Sequence, residues 1–229
     1  MRVVRGRRDD PDADRAVTRD VLEWVRESGE PAVRVWAPGR QLAFGRRDAN
    51  EDGYDAAREA ARERGFPPVE RSVGGRAVAY TATTLAFARV TPLDDVRTGL
   101  GERYDAMVAD VLAALAAVGV DAREGEPPES FCPGDHSVSA DGKVAGVAQR
   151  VTKGAALTSG VLVVDGREEI RSVLADVYGA LGVPFDPESV GSVAAAGGDA
   201  DRVREALEDA LVGDADRDVV AAGALERST

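Results

Sequence analysis

Three extended runs in succession, residues 136–140, 143–151 and 155–165, constrain the fold of this chain more than any other stretch. The first two flank Asp141-Gly142, a dipeptide suited to a two-residue hairpin turn because its central positions take positive φ. The third run returns beside the second. Such a meander predicts an antiparallel sheet, with Lys143 at the mouth of its second strand.

The remaining segments read mainly as helices that can cover a sheet. Residues 10–29 open with Asp-Pro, carry Ala16, Val17, Leu22, Trp24 and Val25 on a helical stripe, and stop at glycine. Residues 32–37 alternate, and Pro38-Gly39 turns into residues 41–45, which predicts two paired strands. Helical spacing returns at 54–64 and is ended by Gly65 and Pro67-Pro68, ahead of an extended stretch at 69–73. Two apolar runs follow Gly74-Gly75-Arg76, at 77–80 and 84–90. Residues 101–118, 167–181 and 201–211 are again helical, whereas 124–134 is a polar, Pro- and Gly-rich loop. Clustered strands with hairpins, rather than strict strand-helix alternation, indicate an α+β fold whose mixed, largely antiparallel sheet is flanked by helices. A length of 229 residues with 44% hydrophobic residues supports one core. The expected organisation is a catalytic domain over 1–181, with 182–229 as a helical C-terminal extension of it.

Charge and cysteine usage narrow the function. Asp+Glu 41 against Lys+Arg 29 gives a net charge of -12, which disfavours a nucleic-acid binder. Only Lys143 and Lys153 are lysines, the other basic residues being arginine. An acidic, Arg-rich, Lys-poor surface suits solvation in molar salt, where the Debye length is about 3 Å. No apolar run approaches the roughly 18 residues of a membrane span, and the first residues lack a signal peptide's apolar stretch, so a cytoplasmic protein is expected. A single cysteine, Cys132, and a single histidine, His136, exclude an intramolecular disulfide and a Cys/His zinc cage.

Four places can carry chemistry. Gly74-Gly75, flanked by Arg71 and Arg76, permits close approach to the backbone; it reads as a site for an acyl chain with a polar head or as a simple glycine turn. Cys132 lies in an irregular polar loop, where it is either a small packing residue or a nucleophile. Lys143 is singled out because lysine is so rare here, and it can supply the charge a reactive thiol needs. Strand alternation puts Lys143, Ala145, Val147 and Gln149 on one face, so the ammonium and the Gln149 amide would address the same ligand. His136 reads as a solvent-facing strand residue, with a general-base role as the alternative; Trp24 and Trp36 read as core.

Residues 132–150, with Gly142-Lys143 followed by Gly146 and Gln149, resemble the signature of the biotin/lipoate protein ligase and octanoyltransferase superfamily. Residues 72–78 resemble its glycine-rich acyl-binding strand opening, and Leu42-Ala43-Phe44-Gly45 an early strand. The Cys-Pro-Gly context is most similar to the cysteine-dependent branch that moves octanoyl between the glycine cleavage H protein and other lipoyl domains. The resemblance implies a ligase-like catalytic domain in which Cys132 takes an octanoyl or lipoyl chain as a thioester and Lys143 holds the acyl carbonyl. It implies acyl binding by Arg71, Ser72, Gly74, Gly75, Arg76, Ala77, Gly142, Gly146, Ala148 and Gln149. Implied partners are lipoyl-domain proteins, namely the H protein and the 2-oxoacid dehydrogenase acyltransferase component, with acyl carrier protein as a further donor. No nucleic acid, membrane, metal or cofactor is expected for this reading.

The alternative within the superfamily is an ATP- and Mg-dependent lipoate ligase that forms an acyl-adenylate and needs no cysteine. Val73 and Arg76 stand where such ligases usually carry Ser and Gly, and Thr83-Thr84-Leu85 lacks their asparagine. A non-enzymatic acyl-carrier binding protein is more distant, and the biotin branch's glycine-rich motif has no match.

Overall fold

The computed structural model describes residues 1–71 and 75–225. The elements run β1 (Arg2–Arg5), α1 (Pro11–Ser28), β2 (Ala32–Trp36), β3 (Gln41–Phe44), α2 (Tyr54–Glu63), β4 (Pro68–Glu70), β5 (Val78–Tyr80), β6 (Thr84–Pro92), α3 (Leu100–Ala117), β7 (Arg123–Glu124), β8 (Ser137–Ser139), β9 (Lys143–Thr152), β10 (Ala155–Val163), α4 (Arg167–Leu181), α5 (Val203–Val212) and β11 (Asp218–Ala221), with short 3-10 turns between some of them. Helix α1 shows how local chemistry sets the boundaries. The Asp10 carboxylate accepts from Ala13 N at 2.7 Å, and Gly29, at φ 71, ends the helix by donating its N–H to Val25 O.

The meander forms, but its turn holds three residues, Ala140, Asp141 and Gly142, because Ser139 pairs with Lys143; Asp141 takes φ 50 and Gly142 φ 103. It supplies the fifth to seventh strands of an eight-stranded sheet ordered β11-β1-β2-β6-β10-β9-β8-β7. The pairs of β1 with β2 and with β11 are parallel, and the remaining neighbours are antiparallel. The architecture is therefore the mixed α+β one expected. A second sheet, β4-β3-β5, packs near one face of the first.

Strand alternation explains the layers. On β10, Leu162 points into a core under α3 and α5 with Phe87, Met107, Leu115 and Leu207, while Val161 and Val163 point the other way. There they meet Phe44, Phe66, Phe131, Leu174 and Tyr178 from the small sheet, the Cys132 loop and α4. A third cluster seats Val17, Val21 and Val25 of α1 against Val4, Ala32 and Val90.

Three further expectations change. Strands β2 and β3 do not pair with each other: four consecutive residues of β2 are buried, and β1 and β6 take its two edges, which sends β3 into the small sheet. The segment after residue 181 is not helix alone, because β11 adds to the free edge of β1, and α5 packs on α3. The tryptophans sit half-buried at the margins of the core, each beneath a guanidinium: Arg2 lies 3.8 Å from the Trp24 ring and Arg34 lies 4.1 Å from that of Trp36.

Candidate active site

Cys132 lies in the loop between β7 and β8, half-buried, with φ 44. A side chain in this left-handed region costs on the order of 1–3 kcal/mol, so neighbouring groups must hold it there. They do so on both flanks. The backbone N–H of Cys132 donates to the Tyr178 hydroxyl at 2.6 Å, and that hydroxyl donates to Ala77 O at 3.0 Å. One phenol thus ties the loop to the start of β5. Glu126 holds the other flank: its carboxylate accepts from the Ser130 hydroxyl, from Gly134 N at 3.5 Å and from the Lys143 ammonium.

The sulfur faces two donors. Arg71 Nη2 and the backbone N of Arg76 each lie 3.3 Å from Sγ. This approach requires glycine at position 75, where φ is +91 and an added Cβ would come within 2.7 Å of Sγ. The Arg71 guanidinium also donates to Arg76 O. Burial opposes its charge, but the neighbouring Cys132 and Tyr80 outweigh burial and hold it above the ordinary arginine value. The Arg76 side chain points away to Glu51 at 2.8 Å and to Asp48 at 3.4 Å, and Asp48 accepts from Gly45 N at 2.8 Å. Burial pushes the Asp48 carboxyl up against the opposing pull of those donors. Ala77 is buried in the small-sheet core.

Lys143 is only 1% exposed, and its Nζ lies 3.0–3.1 Å from four oxygens: both of Glu126, Phe131 O and Cys132 O. Burial pushes its ammonium below the usual lysine range, against the pull of Glu126. The cation in hydrogen-bond contact with the sulfur is therefore Arg71, while Lys143 braces the backbone beneath it. Lys143 still interacts electrostatically with Cys132, as expected, but without a hydrogen bond to the sulfur, and Arg71 is the cation in direct contact.

Lys143 and Gln149 also part company. Ser139 pairs with Lys143 but Val138 pairs with Ala145, so Val144 is an extra residue in β9. Val144 and Ala145 both enter the α3–α5 core, and the shift puts Lys143 on the face of Gly146 and Ala148. Gln149 stays on the other face, accepting from Arg103 Nε at 2.9 Å and donating to Leu100 O at 3.3 Å. Gly142 is likewise remote from the sulfur's cavity, packed so closely on Gly191 that an added Cβ would lie 2.6 Å from its N. His136 stacks on Tyr104 with centroids 3.8 Å apart. Ser72 and Gly74 lie outside the described residues.

Cys132, Lys143, Arg71, Gly146 and Ala148 line one cavity of about 150 Å³, with Val78 and Val161 on its apolar side. A sulfur held by a guanidinium and a backbone N–H beside an apolar recess is equipped to attack an acyl carbon and shelter the chain behind it. Among the described residues no group of three or more His, Cys, Asp or Glu side chains could hold a metal ion. Of the supporting residues, Tyr178 carries a legible signal: a tyrosine among Val173, Leu174, Val177 and Leu181 on a buried stripe needs a partner for its hydroxyl. Glu126, Asp48 and Tyr80 carry none that sets them apart.

The profile of the lipoyl protein ligase A/B catalytic domain matches residues 10–211. The chain is similar to the octanoyl-GcvH:protein N-octanoyltransferase of Geobacillus kaustophilus (strain HTA426), with 30% identity over 146 residues, covering 63% of this chain and 52% of that protein. It is also similar to the enzyme of the same name from Exiguobacterium sibiricum, with 32% identity over 154 residues, covering 65% and 55%. The chain spans about half the length of these relatives. Among solved structures, lipoate-protein ligase A bound with ATP matches with a TM-score of 0.76 at 22% identity, over 98% of this chain and 91% of that one. The Thermoplasma acidophilum protein Ta0514 with bound lipoic acid matches with a TM-score of 0.72 at 21% identity, over the same shares. At these identities the structural matches speak to the fold.

Proposed function

The chain belongs to the lipoyl protein ligase A/B catalytic-domain family, and from that premise we propose that it transfers an octanoyl or lipoyl group to a lysine of a lipoyl domain through a thioester on Cys132. The observation that carries the proposal is the placement of Sγ 3.3 Å from both Arg71 Nη2 and Arg76 N, at the head of a recess with an apolar wall.

In the first step Sγ, as thiolate, attacks the acyl carbon, and the carbonyl π electrons move to oxygen. When that tetrahedral species collapses, the bond to the donor breaks and the donor's leaving atom takes a proton from solvent. In the second step the neutral amine of the acceptor lysine attacks the thioester, the C–S bond breaks, Sγ leaves as thiolate and the amine loses a proton. Arg71 and the Arg76 N–H stabilise the sulfur whenever it carries charge. Lys143 fixes the Cys132 backbone through two carbonyl oxygens and, by exchanging one of its four oxygens for the substrate's, polarises the acyl carbonyl.

The relatives' name supports the glycine cleavage H protein as octanoyl donor, and the 2-oxoacid dehydrogenase acyltransferase component is the corresponding acceptor. This reading uses no cofactor. No described helix is long and apolar enough to cross a membrane, and the acidic surface fits cytoplasm of high salt content.

The test is the intact mass of the protein, in high salt, after mixing with an octanoyl-thioester donor, beside a sample given octanoate, ATP and magnesium. A hydroxylamine-labile octanoyl adduct that is absent in Cys132→Ala is expected. ATP-dependent acylation of an added lipoyl domain that survives Cys132→Ala, with no adduct from the thioester, would replace this reading with a ligase.

A further inference from the structure

The peptide between Gly75 and Arg76 carries the backbone N–H that lies 3.3 Å from Cys132 Sγ, so the plane of that peptide decides whether the donor meets the sulfur. Its carbonyl end rests on Gly45, the residue after β3. The packing is so close that a Cβ at position 45 would lie 2.5 Å from Gly75 C and 3.0 Å from Arg76 N. Gly45 is held in turn at both its N–H and its carbonyl by one residue. The Asp48 carboxylate accepts from Gly45 N at 2.8 Å, and Asp48 N donates to Gly45 O at 3.2 Å. The second carboxylate oxygen of Asp48 lies 3.4 Å from Arg76 Nη1, and Glu51 lies 2.8 Å from the same nitrogen. Asp48 is fully buried yet does not line the cavity of the sulfur. Burying a carboxylate is costly, and the oxygens of this one are divided between the backbone under the peptide and the guanidinium attached to it.

We propose that Asp48 is a positioning residue: by holding Gly45 and the Arg76 side chain it fixes the Gly75–Arg76 peptide in the plane that aims its N–H at Cys132 Sγ. The proposal rests on the acyl-transfer reading above and adds the residue that preorganises one of the sulfur's two donors. Without the carboxylate, the Gly45 N–H loses its acceptor and Arg76 keeps only Glu51. The peptide can then turn, and its N–H leaves the thiolate. Electrostatics alone acts in the opposite sense, because removing a negative charge that faces Arg71 and Arg76 favours the thiolate. The sign of the change in thiol reactivity therefore separates the two.

The experiment follows alkylation of Cys132, the single cysteine, by iodoacetamide across pH in wild type, Asp48→Ala and Asp48→Asn, with denaturant midpoints to establish that each is folded. In Asp48→Ala the rate at about pH 7 should fall about threefold or more, as for a weakened hydrogen bond to a charged group, and the profile should move to higher pH. Asp48→Asn, whose amide oxygen still accepts from Gly45 N, should stay within about twofold of wild type. In parallel, the maximal single-turnover rate of octanoyl-adduct formation from an octanoyl thioester of N-acetylcysteamine should fall in Asp48→Ala. Its half-saturating thioester concentration should be unchanged, because the contacts of the acyl chain are intact. Should Asp48→Ala not fold, Asp48→Ser, too short to span both partners, takes its place. An alanine or serine profile that stays in place or moves to lower pH overturns the positioning role. So does an Asp48→Asn rate as low as that of Asp48→Ala, or a half-saturating concentration that rises while the maximal rate holds. No octanoyl adduct on wild type overturns the acyl-transfer reading itself, while the alkylation profile still decides the role of Asp48.

Discussion

Arg71 Nη2 lies 3.3 Å from Cys132 Sγ although 61 residues separate the two along the chain. The same nitrogen also donates to Arg76 O, and a lysine at this position has a shorter side chain with which to place a nitrogen there.

Arg71→Ala is therefore expected to slow octanoyl-adduct formation on Cys132 by on the order of 10²-fold, because the cation that holds the sulfur as thiolate is lost, with only partial recovery in Arg71→Lys. Single-turnover mass spectrometry measures both. A rate in Arg71→Ala equal to wild type would remove Arg71 from the mechanism.

Gly75→Ala meets two obstacles at once, a φ of +91 and a Cβ 2.7 Å from Sγ. It should lower stability by about 1–2 kcal/mol and, by pushing the Arg76 N–H off the sulfur, also slow the adduct. Denaturant midpoints and adduct rates separate the two effects, and a variant with unaltered rate would show that the N–H is dispensable.

Glu126→Ala leaves the Lys143 ammonium buried with two carbonyl oxygens and no counter-charge. Such a loss costs about 3 kcal/mol, the lower end of the range, because the carboxylate is a quarter exposed. Burial already places Lys143 below its ordinary 10.5, so its burial penalty is full below the folded-state value and vanishes above 10.5. Removing Glu126, which raises it, widens that window. The deficit of Glu126→Ala should then shrink as pH rises towards 10.5, and chemical denaturation across that range would contradict the assignment if the deficit stayed constant.

Burial raises the Tyr178 phenol, as does the nearby Cys132, so the fold favours the neutral hydroxyl. The stability this contributes is whole below the ordinary value of 10.0 and is lost as pH rises above it and the unfolded chain ionises. Tyr178→Phe orphans Cys132 N and removes a donor from Ala77 O, at a cost of about 1–3 kcal/mol near neutrality. The gap between wild type and this variant should narrow above pH 10.0, and urea midpoints on either side of that value check the direction.

What was legible in the sequence is what short-range chemistry decides. The Asp141-Gly142 turn, the Asp-Pro opening of the first helix and its glycine stop at 29 need only a few neighbouring residues, and the first helix and the meander follow from them. Strands β1 and β11 escaped because each has four residues and its pairing joins Arg2 to Asp218 across nearly the whole chain. The exchange of partners by β2 and β3 is invisible to alternation, which reports the faces of a strand and not its neighbours. At the site, Cys132, Lys143 and the glycines stood out by rarity and motif. Arg71 stood out too, beside the glycine pair, but as a ligand for an acyl head group; its contact with the sulfur joins residues 61 apart in the chain, which no local pattern reports. The face of Lys143 was misread for a local reason: one extra residue, Val144, reverses the parity on which a two-residue repeat depends.

The order of the large sheet also bears on what its edges offer to another strand. Its outermost strands are its weakest templates: β7 has two residues, Arg123 and Glu124, both charged, and β11 has four, beginning with the exposed Asp218. A neighbouring strand finds at either border only a short run of backbone, charged along β7 and at the start of β11. The long, apolar strands β6, β9 and β10, which would nucleate aggregation if bared, are enclosed at its centre.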